Sequence, residues 1–104
     1  MEDEREIFIC DYMEHPFSDA LLLDIRDAFM YSHGTLPGAV HFPLERIGEL
    51  YQLPRDRKIC VFCQAGEASR EITELLLDGG YDAYHLSGGY REYLREKIRE
   101  EEKG

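Results

Sequence analysis

Five short apolar runs, at residues 7–10, 21–25, 39–42, 59–62 and 83–86, limit what this chain can fold into. Each has the length of a strand covered on both faces, because such strands read as continuous apolar runs and not as alternating ones. Between several of them the apolar period lengthens to that of a helix. Leu44, Ile47, Leu50 and Tyr51 follow Pro43, and Ile72, Leu75 and Leu76 share one face after Ser69. Gly79-Gly80 ends the second of these helices. A last segment sets Tyr90, Tyr93, Leu94 and Ile98 on one stripe, and residues 99–104 beyond it are polar all round and expected to fray. Strands alternating with helices predict an α/β fold: a mainly parallel sheet with helices on both faces and ligand sites outside the carboxyl ends of the strands. Nothing resembling a linker, repeat or low-complexity segment divides residues 1–104, so one domain is expected.

Composition narrows the function. The length of 104 residues suits one compact domain, and a hydrophobic share of 43% can supply its core. Lys and Arg number 12 against 22 Asp and Glu, a formal net charge of −10 that repels phosphate backbones and anionic membrane surfaces. Neither nucleic acid nor a membrane is expected as a partner. The opening Met1-Glu2-Asp3-Glu4-Arg5-Glu6 lacks an apolar h-region, and no stretch approaches the ~18 apolar residues of a membrane span, which predicts a cytoplasmic chain. Three cysteines argue against a disulfide framework and leave thiol chemistry or burial as alternatives.

The most informative stretch is Ile59-Cys60-Val61-Phe62-Cys63-Gln64-Ala65-Gly66-Glu67-Ala68-Ser69-Arg70: a strand, a loop of small residues and a helix start. Cys63 sits where the strand ends. If the loop curls over the helix N-terminus, its backbone N–H groups converge on the sulfur, and the positive end of the helix dipole favours the nucleophilic thiolate. Gly66 supplies a backbone conformation that a side chain would obstruct. The alternative is a small core cysteine beside a tight connection, since free cysteines are among the most buried residue types.

Cys63-Gln64-Ala65-Gly66-Glu67-Ala68-Ser69 resembles the active loop of the rhodanese family, C-x-x-G-x-x-[ST]. Leu22-Leu23-Asp24-Ile25-Arg26 resembles the family's L-[IL]-D-V-R strand end, and Gly34-Thr35-Leu36-Pro37-Gly38-Ala39 resembles its G-H-I-P-G-A turn. The segment from Gly80 through Tyr90 is similar to G-[FY]-x-x-[VA]-x-x-L-x-G-G. The match spans residues 21–94 and implies a single rhodanese-like domain with a five-stranded sheet. It also implies a sulfurtransferase that holds sulfane sulfur as a persulfide on Cys63 and passes it to a thiol or other nucleophilic acceptor, with no cofactor of its own. Residues 64–69 (Gln64, Ala65, Gly66, Glu67, Ala68 and Ser69) would bind substrate, with Asp24 and Arg26 in support. The look is closest to rhodanese domains fused to flavin-dependent disulfide or persulfide reductases, so a flavoprotein reductase is an implied partner alongside small-molecule or protein sulfur donors. The chain departs from the family at Thr35, where His is frequent, in having no Trp after the paired glycines, and at Gln64 and Ala68, where Arg is common. A loop without Arg and with Glu67 offers little to a dianion such as thiosulfate, so organic or protein persulfides are the expected donors.

Other readings are weaker. Cysteine-dependent phosphatases and arsenate reductases need C-x5-R, but here the residue six after Cys63 is Ser69 and Arg70 comes one position late, as a helix-surface residue. Cys60-Val61-Phe62-Cys63 is formally C-x-x-C, yet residues three apart on a strand stand roughly 10 Å apart, beyond disulfide reach. Cys60 is expected in the core and Cys10 to be dispensable. His15, His33, His41 and His85 lack metal-ligand spacing. Asp24 and Arg26 could shape the site, or form a structural ion pair that caps the next helix, with the structural role preferred. Tyr81 and Tyr84 are expected to pack. A non-catalytic module that kept the fold is the remaining function class, and Cys63 argues against it.

Overall fold

A computed structural model describes residues 3–103 of the chain. Five strands, β1 (Glu6–Phe8), β2 (Leu21–Asp24), β3 (Val40–His41), β4 (Ile59–Phe62) and β5 (Ala83–Ser87), form one sheet in the order β1-β5-β4-β2-β3. Every neighbouring pair is parallel, so the expected mainly parallel sheet is parallel throughout. Parallel pairing obliges the chain to cross back over a face between strands, and the crossovers supply both covering layers. α1 (Ile9–Glu14) and α4 (Gly89–Lys103) lie on one face, where Ile9, Tyr12 and Tyr90 pack on Leu22, Cys60, Phe62 and Leu86. A 3-10 segment, Leu44–Gln52, and α3 (Glu67–Asp78) cover the other, where Leu50, Ile72 and Leu76 meet Leu23, Val61 and Ala83. A further short helix, α2 (Ala28–Ser32), follows β2 and is capped by the Asp27 carboxylate, which accepts the Met30 N–H at 2.8 Å.

Burial on both faces holds for the centre of the sheet and not for its edges. All four residues of β4 are buried, as are three of the four in β2, which explains their unbroken apolar runs. β1 and β3 have one neighbour each, and Val40 is 47% exposed. The run at 7–10 is not one strand. Pairing with β5 stops at Phe8, and Ile9, Tyr12 and Met13, at helical spacing, turn inward as α1. The apolar residues after Pro43 do not share a buried face either, because the segment is 3-10 and kinked at Arg46, leaving Leu50 buried while Leu44, Ile47 and Tyr51 are exposed. On α3, Ile72 and Leu76 are buried and Leu75 is not, while Gly79 closes the helix as expected. On α4, Tyr90 is buried and Leu94 and Ile98 are exposed. That helix continues through Lys103, so the stretch expected to fray is helical here.

Cys60 and Tyr81 are in the core, as expected, and Tyr84 packs against the α1 side. No described helix is long and apolar enough to cross a membrane.

The centre and the edge should differ in energy. Leu23→Ala, at a fully buried β2 position, should cost about 2–5 kcal/mol through lost burial and a residual cavity. Val40→Ala, on the β3 edge, should cost under ~1 kcal/mol. Urea unfolding midpoints at constant slope check the pair, and equal losses would contradict this account of the sheet.

Candidate active site

β2, β4 and β5 lie side by side, so the turns leaving their carboxyl ends converge. Cys63 follows β4 directly, and the Gln64–Gly66 loop leads into α3. Helix N-termini leave backbone N–H groups unpaired, and a side-chain oxygen usually accepts one of them. Gly66, at the cap position of α3, has no side chain and a φ of +113°, in the region that favours glycine. The Cys63 sulfur takes the missing acceptor's place. The Gly66 N–H reaches Sγ at 3.0 Å and the Ser69 N–H at 3.4 Å, while the Ser69 hydroxyl lies 3.3 Å from Sγ and 3.2 Å from the Gly66 carbonyl. As a thiol, Cys63 can donate to Ser69 Oγ, which in turn donates to Gly66. As a thiolate it becomes an acceptor, and two amides already point at it. The sequence expectation of converging amides is therefore met at Cys63, Gly66 and Ser69.

A second turn holds the loop from below. Tyr90 N–H donates to the Cys63 carbonyl at 2.9 Å, and Arg91 N–H to the Gln64 carbonyl at 3.1 Å. The approach requires Gly89, whose φ is +70°. A Cβ there would lie 2.5 Å from the Gln64 carbonyl oxygen.

The turn after β2 contributes Asp24 and Arg26, both buried and joined by a fork of bonds. Arg26 Nε donates to Asp24 at 3.0 Å, Nη2 donates to Asp24 at 2.8 Å and to the Gly34 carbonyl at 2.6 Å, and Nη1 donates to Gln64 Oε1 at 3.3 Å. The guanidinium also lies 4.2 Å from the Tyr90 ring centroid. One Nε, two Nη2 and one Nη1 hydrogens are thus engaged, which leaves one of the five donors free. Asp24 and Arg26 do serve as a structural ion pair, but Arg26 also reaches the loop, and the cap of α2 is Asp27 and not either of them. Thr35, where the family often has His, donates to Asp24 at 2.7 Å. Burial alone would raise the Asp24 carboxyl, yet the bonds from Arg26 and Thr35 outweigh it and hold the group below its ordinary value.

Cys63 opens onto a pocket of about 510 Å³. Gln64, Ala65, Glu67 and Ala68 line it from the loop and first turn of α3, whereas Gly66 and Ser69 lie behind as donors to the sulfur. Sequence reasoning missed the opposite wall, formed by Asp27 and Met30 at α2 and by Leu44 and Glu45 after β3. No local pattern marks them, because crossover connections bring them to the mouth. It also missed His85, which is buried with Nδ1 3.1 Å from Glu6 Oε1 and with Nε2 unpartnered, facing Gly66. Burial lowers its affinity for a proton and outweighs the raising effect of Glu6. Arg70 is on the surface, bonded to Glu6 at 2.7 Å, and takes no part in the loop. The described residues contain no group of three or more His, Cys, Asp or Glu placed to hold a metal.

The three cysteines are free but differ chemically. Burial pushes the Cys60 thiol up to about 11, and burial followed by Glu96 and Glu92 raises Cys10. Neutral iodoacetamide should therefore label Cys63 first in the native protein, with Cys60 labelled only on unfolding, as peptide-resolved mass spectrometry can follow. Faster labelling of Cys10 would contradict this order. Asp24→Asn should cost about 3–5 kcal/mol, since it leaves Arg26 buried without its counter-charge. Because the folded carboxyl is held below its unfolded value, the stability it confers is complete above the ordinary carboxylate range and is lost as pH falls through the folded value. Denaturant midpoints across acid pH should fall further in the parent than in Asp24→Asn, where the remaining loss comes from other lowered carboxyls such as Asp82.

Comparison with known proteins agrees with this geometry. The chain is 35% identical over 91 residues to a tRNA uridine(34) hydroxylase of Acinetobacter baylyi, covering 80% of this chain but 29% of that protein. It is 32% identical over 82 residues to the thiosulfate sulfurtransferase GlpE of Glaesserella parasuis, covering 77% of this chain and 76% of that one. Among solved structures, a rhodanese-related protein from Thermoplasma volcanium superposes with a TM-score of 0.80 at 27% identity, covering 88% and 92% of the two chains. The rhodanese-like domain family matches residues 10–96. The five-stranded parallel sheet is thus that of a rhodanese-like domain, and the chain belongs to that family.

Proposed function

We propose that this protein is a sulfurtransferase that carries sulfane sulfur as a persulfide on Cys63 and draws on organic or protein persulfides in preference to thiosulfate. The observation that carries the reading is the Cys63 sulfur held by the Gly66 and Ser69 amides where it meets an open pocket. In the first half-reaction the thiolate attacks the sulfane sulfur of the donor, a Cys63–sulfur bond forms, the donor's sulfur–sulfur bond breaks, and the donor leaves as a thiolate. In the second, a nucleophilic acceptor takes the outer sulfur and Cys63 leaves as the thiolate, with the Gly66 and Ser69 amides pointing at it. The acceptor is a thiol, on a small molecule or on a partner such as a flavoprotein reductase. A non-catalytic binding module would not require a sulfur with two converging amides.

Donor preference follows from charge. Thiosulfate must bring two negative charges past Glu67 into a protein of net charge −10, and Arg26 has one donor hydrogen left to receive it. Uncharged Gln64 and Ala68 and the apolar Met30 and Leu44 suit an organic group better.

After exposure to a sulfane-sulfur donor, mass spectrometry should find about +32 Da on the Cys63 peptide and none in Cys63→Ser. The parent should show a higher kcat/KM for glutathione persulfide than for thiosulfate with cyanide as acceptor. Ala68→Arg should shift that ratio toward thiosulfate by roughly tenfold or more, and less in added salt. A parent that already prefers thiosulfate would end the electrostatic argument, and undiminished persulfide in Cys63→Ser would end the assignment of the cysteine.

A further inference from the structure

The pocket over Cys63 carries a charge pattern that the persulfide reading alone does not require. Three carboxylates, Asp27, Glu45 and Glu67, line it, and they come from three separate elements. Asp27 is engaged as the cap of α2, but among the described residues the side chains of Glu45 and Glu67 have neither a hydrogen bond nor an ion pair. Several arginines elsewhere on the surface are paired with carboxylates, such as Arg46 with Glu49, Arg70 with Glu6 and Arg95 with Glu92. Among the described residues the one cation lining the pocket is Arg26, whose charge is matched by the buried Asp24. The mouth is therefore left with an uncompensated excess of negative charge above a pocket with apolar walls.

We propose that this acidic rim makes the Cys63 pocket selective for sulfur donors that bear an ammonium group, an aminothiol persulfide and not a polyanionic one. The proposal rests on the sulfur-carrying reading of Cys63 and narrows its substrate class. The volume of about 510 Å³ falls in the range of small-molecule sites. In the bound donor, the outer sulfur meets Cys63 between the Gly66 and Ser69 amides, the short carbon chain lies against Met30 and Leu44, and the ammonium stands among the rim carboxylates. The neutral hydropersulfide then yields its outer sulfur and its hydrogen to Cys63 while the donor departs as the thiolate of an aminothiol, a zwitterion whose ammonium the rim still holds. No external oxidant or reductant enters the balance.

Two measurements on the full chain test the proposal. In the first, Cys63 is modified by a cationic methanethiosulfonate, the 2-aminoethyl reagent, and by the anionic 2-sulfonatoethyl reagent, with rates read on the Cys63 peptide by mass spectrometry and normalised to a free thiol. The cationic reagent should be favoured by about tenfold at low salt, and the preference should shrink as salt is added. Glu45→Gln combined with Glu67→Gln should remove most of it. Glu101→Gln combined with Glu102→Gln, which removes the same number of negative charges but far down α4, should leave it in place. In the second measurement, cysteamine persulfide should load Cys63 with a higher kcat/KM than glutathione persulfide or coenzyme A persulfide, and the rim variant should narrow the gap. No preference for the cationic reagent, a preference lost equally in both double variants, or faster loading by coenzyme A persulfide would overturn the proposal. A strong cationic preference without sulfur uptake from any donor would instead overturn the sulfur-carrying reading, and the donor class with it, while the charge of the rim stood.

Discussion

The site depends on how two neighbouring strand-to-helix turns lie against each other. Because β4 and β5 are parallel neighbours, the chain leaves both at the same edge of the sheet, and the turn after β5 passes directly beneath the peptide that joins Cys63 to Gln64. The Tyr90 N–H holds that peptide and the Arg91 N–H the one after it from below, while the first turn of α3 holds the sulfur from above. The space between the turns admits no side chain at Gly89. A pair of glycines in one turn thus sets the position of a cysteine some 25 residues earlier, and this explains why motifs distant in sequence occur together.

The buried Asp24–Arg26 pair has a comparable role on the other side. Removing two charges from water is costly, and the interaction offsets that cost because nearly every donor and acceptor in the pair is satisfied, by Gly34, Thr35 and Gln64 as well as by each other. The pair ties the turn after β2 to the turn after β4. It also uses up the cation that lines the Cys63 pocket, so a positive residue in the site does not make the site positive. That distinction separates the number of charges near a pocket from the field within it.

Much of this was legible in the sequence. The central strands were visible because burial on both faces demands continuous apolar runs, and the Cys63 loop because a cysteine between a strand and a glycine-bearing helix start has few other structural explanations. The edges were less legible. The apolar run at 7–10 concealed a change from strand to helix at Ile9, and the segment after Pro43 had an α-helical period but a kinked 3-10 geometry. The far wall of the pocket was not legible at all, since Met30, Leu44 and Glu45 reach it only through crossover topology. His85 shows the same limit: as a lone histidine in a strand its spacing carries no signal, and its place beneath Gly66 appears only when β5 is set beside β4.

The sulfur of Cys63 stands where most helices place an oxygen. α3 has no side-chain cap of the ordinary kind, and two N–H groups at its start are satisfied by the Cys63 sulfur. Each change in that atom's covalent state therefore alters the end of a twelve-residue helix packed on the core. An anionic sulfur strengthens the cap, and a bulky adduct pries it open. The covalent state of Cys63 and folding stability are in this way linked at one atom, so the melting temperature of the domain should respond to modification of that sulfur.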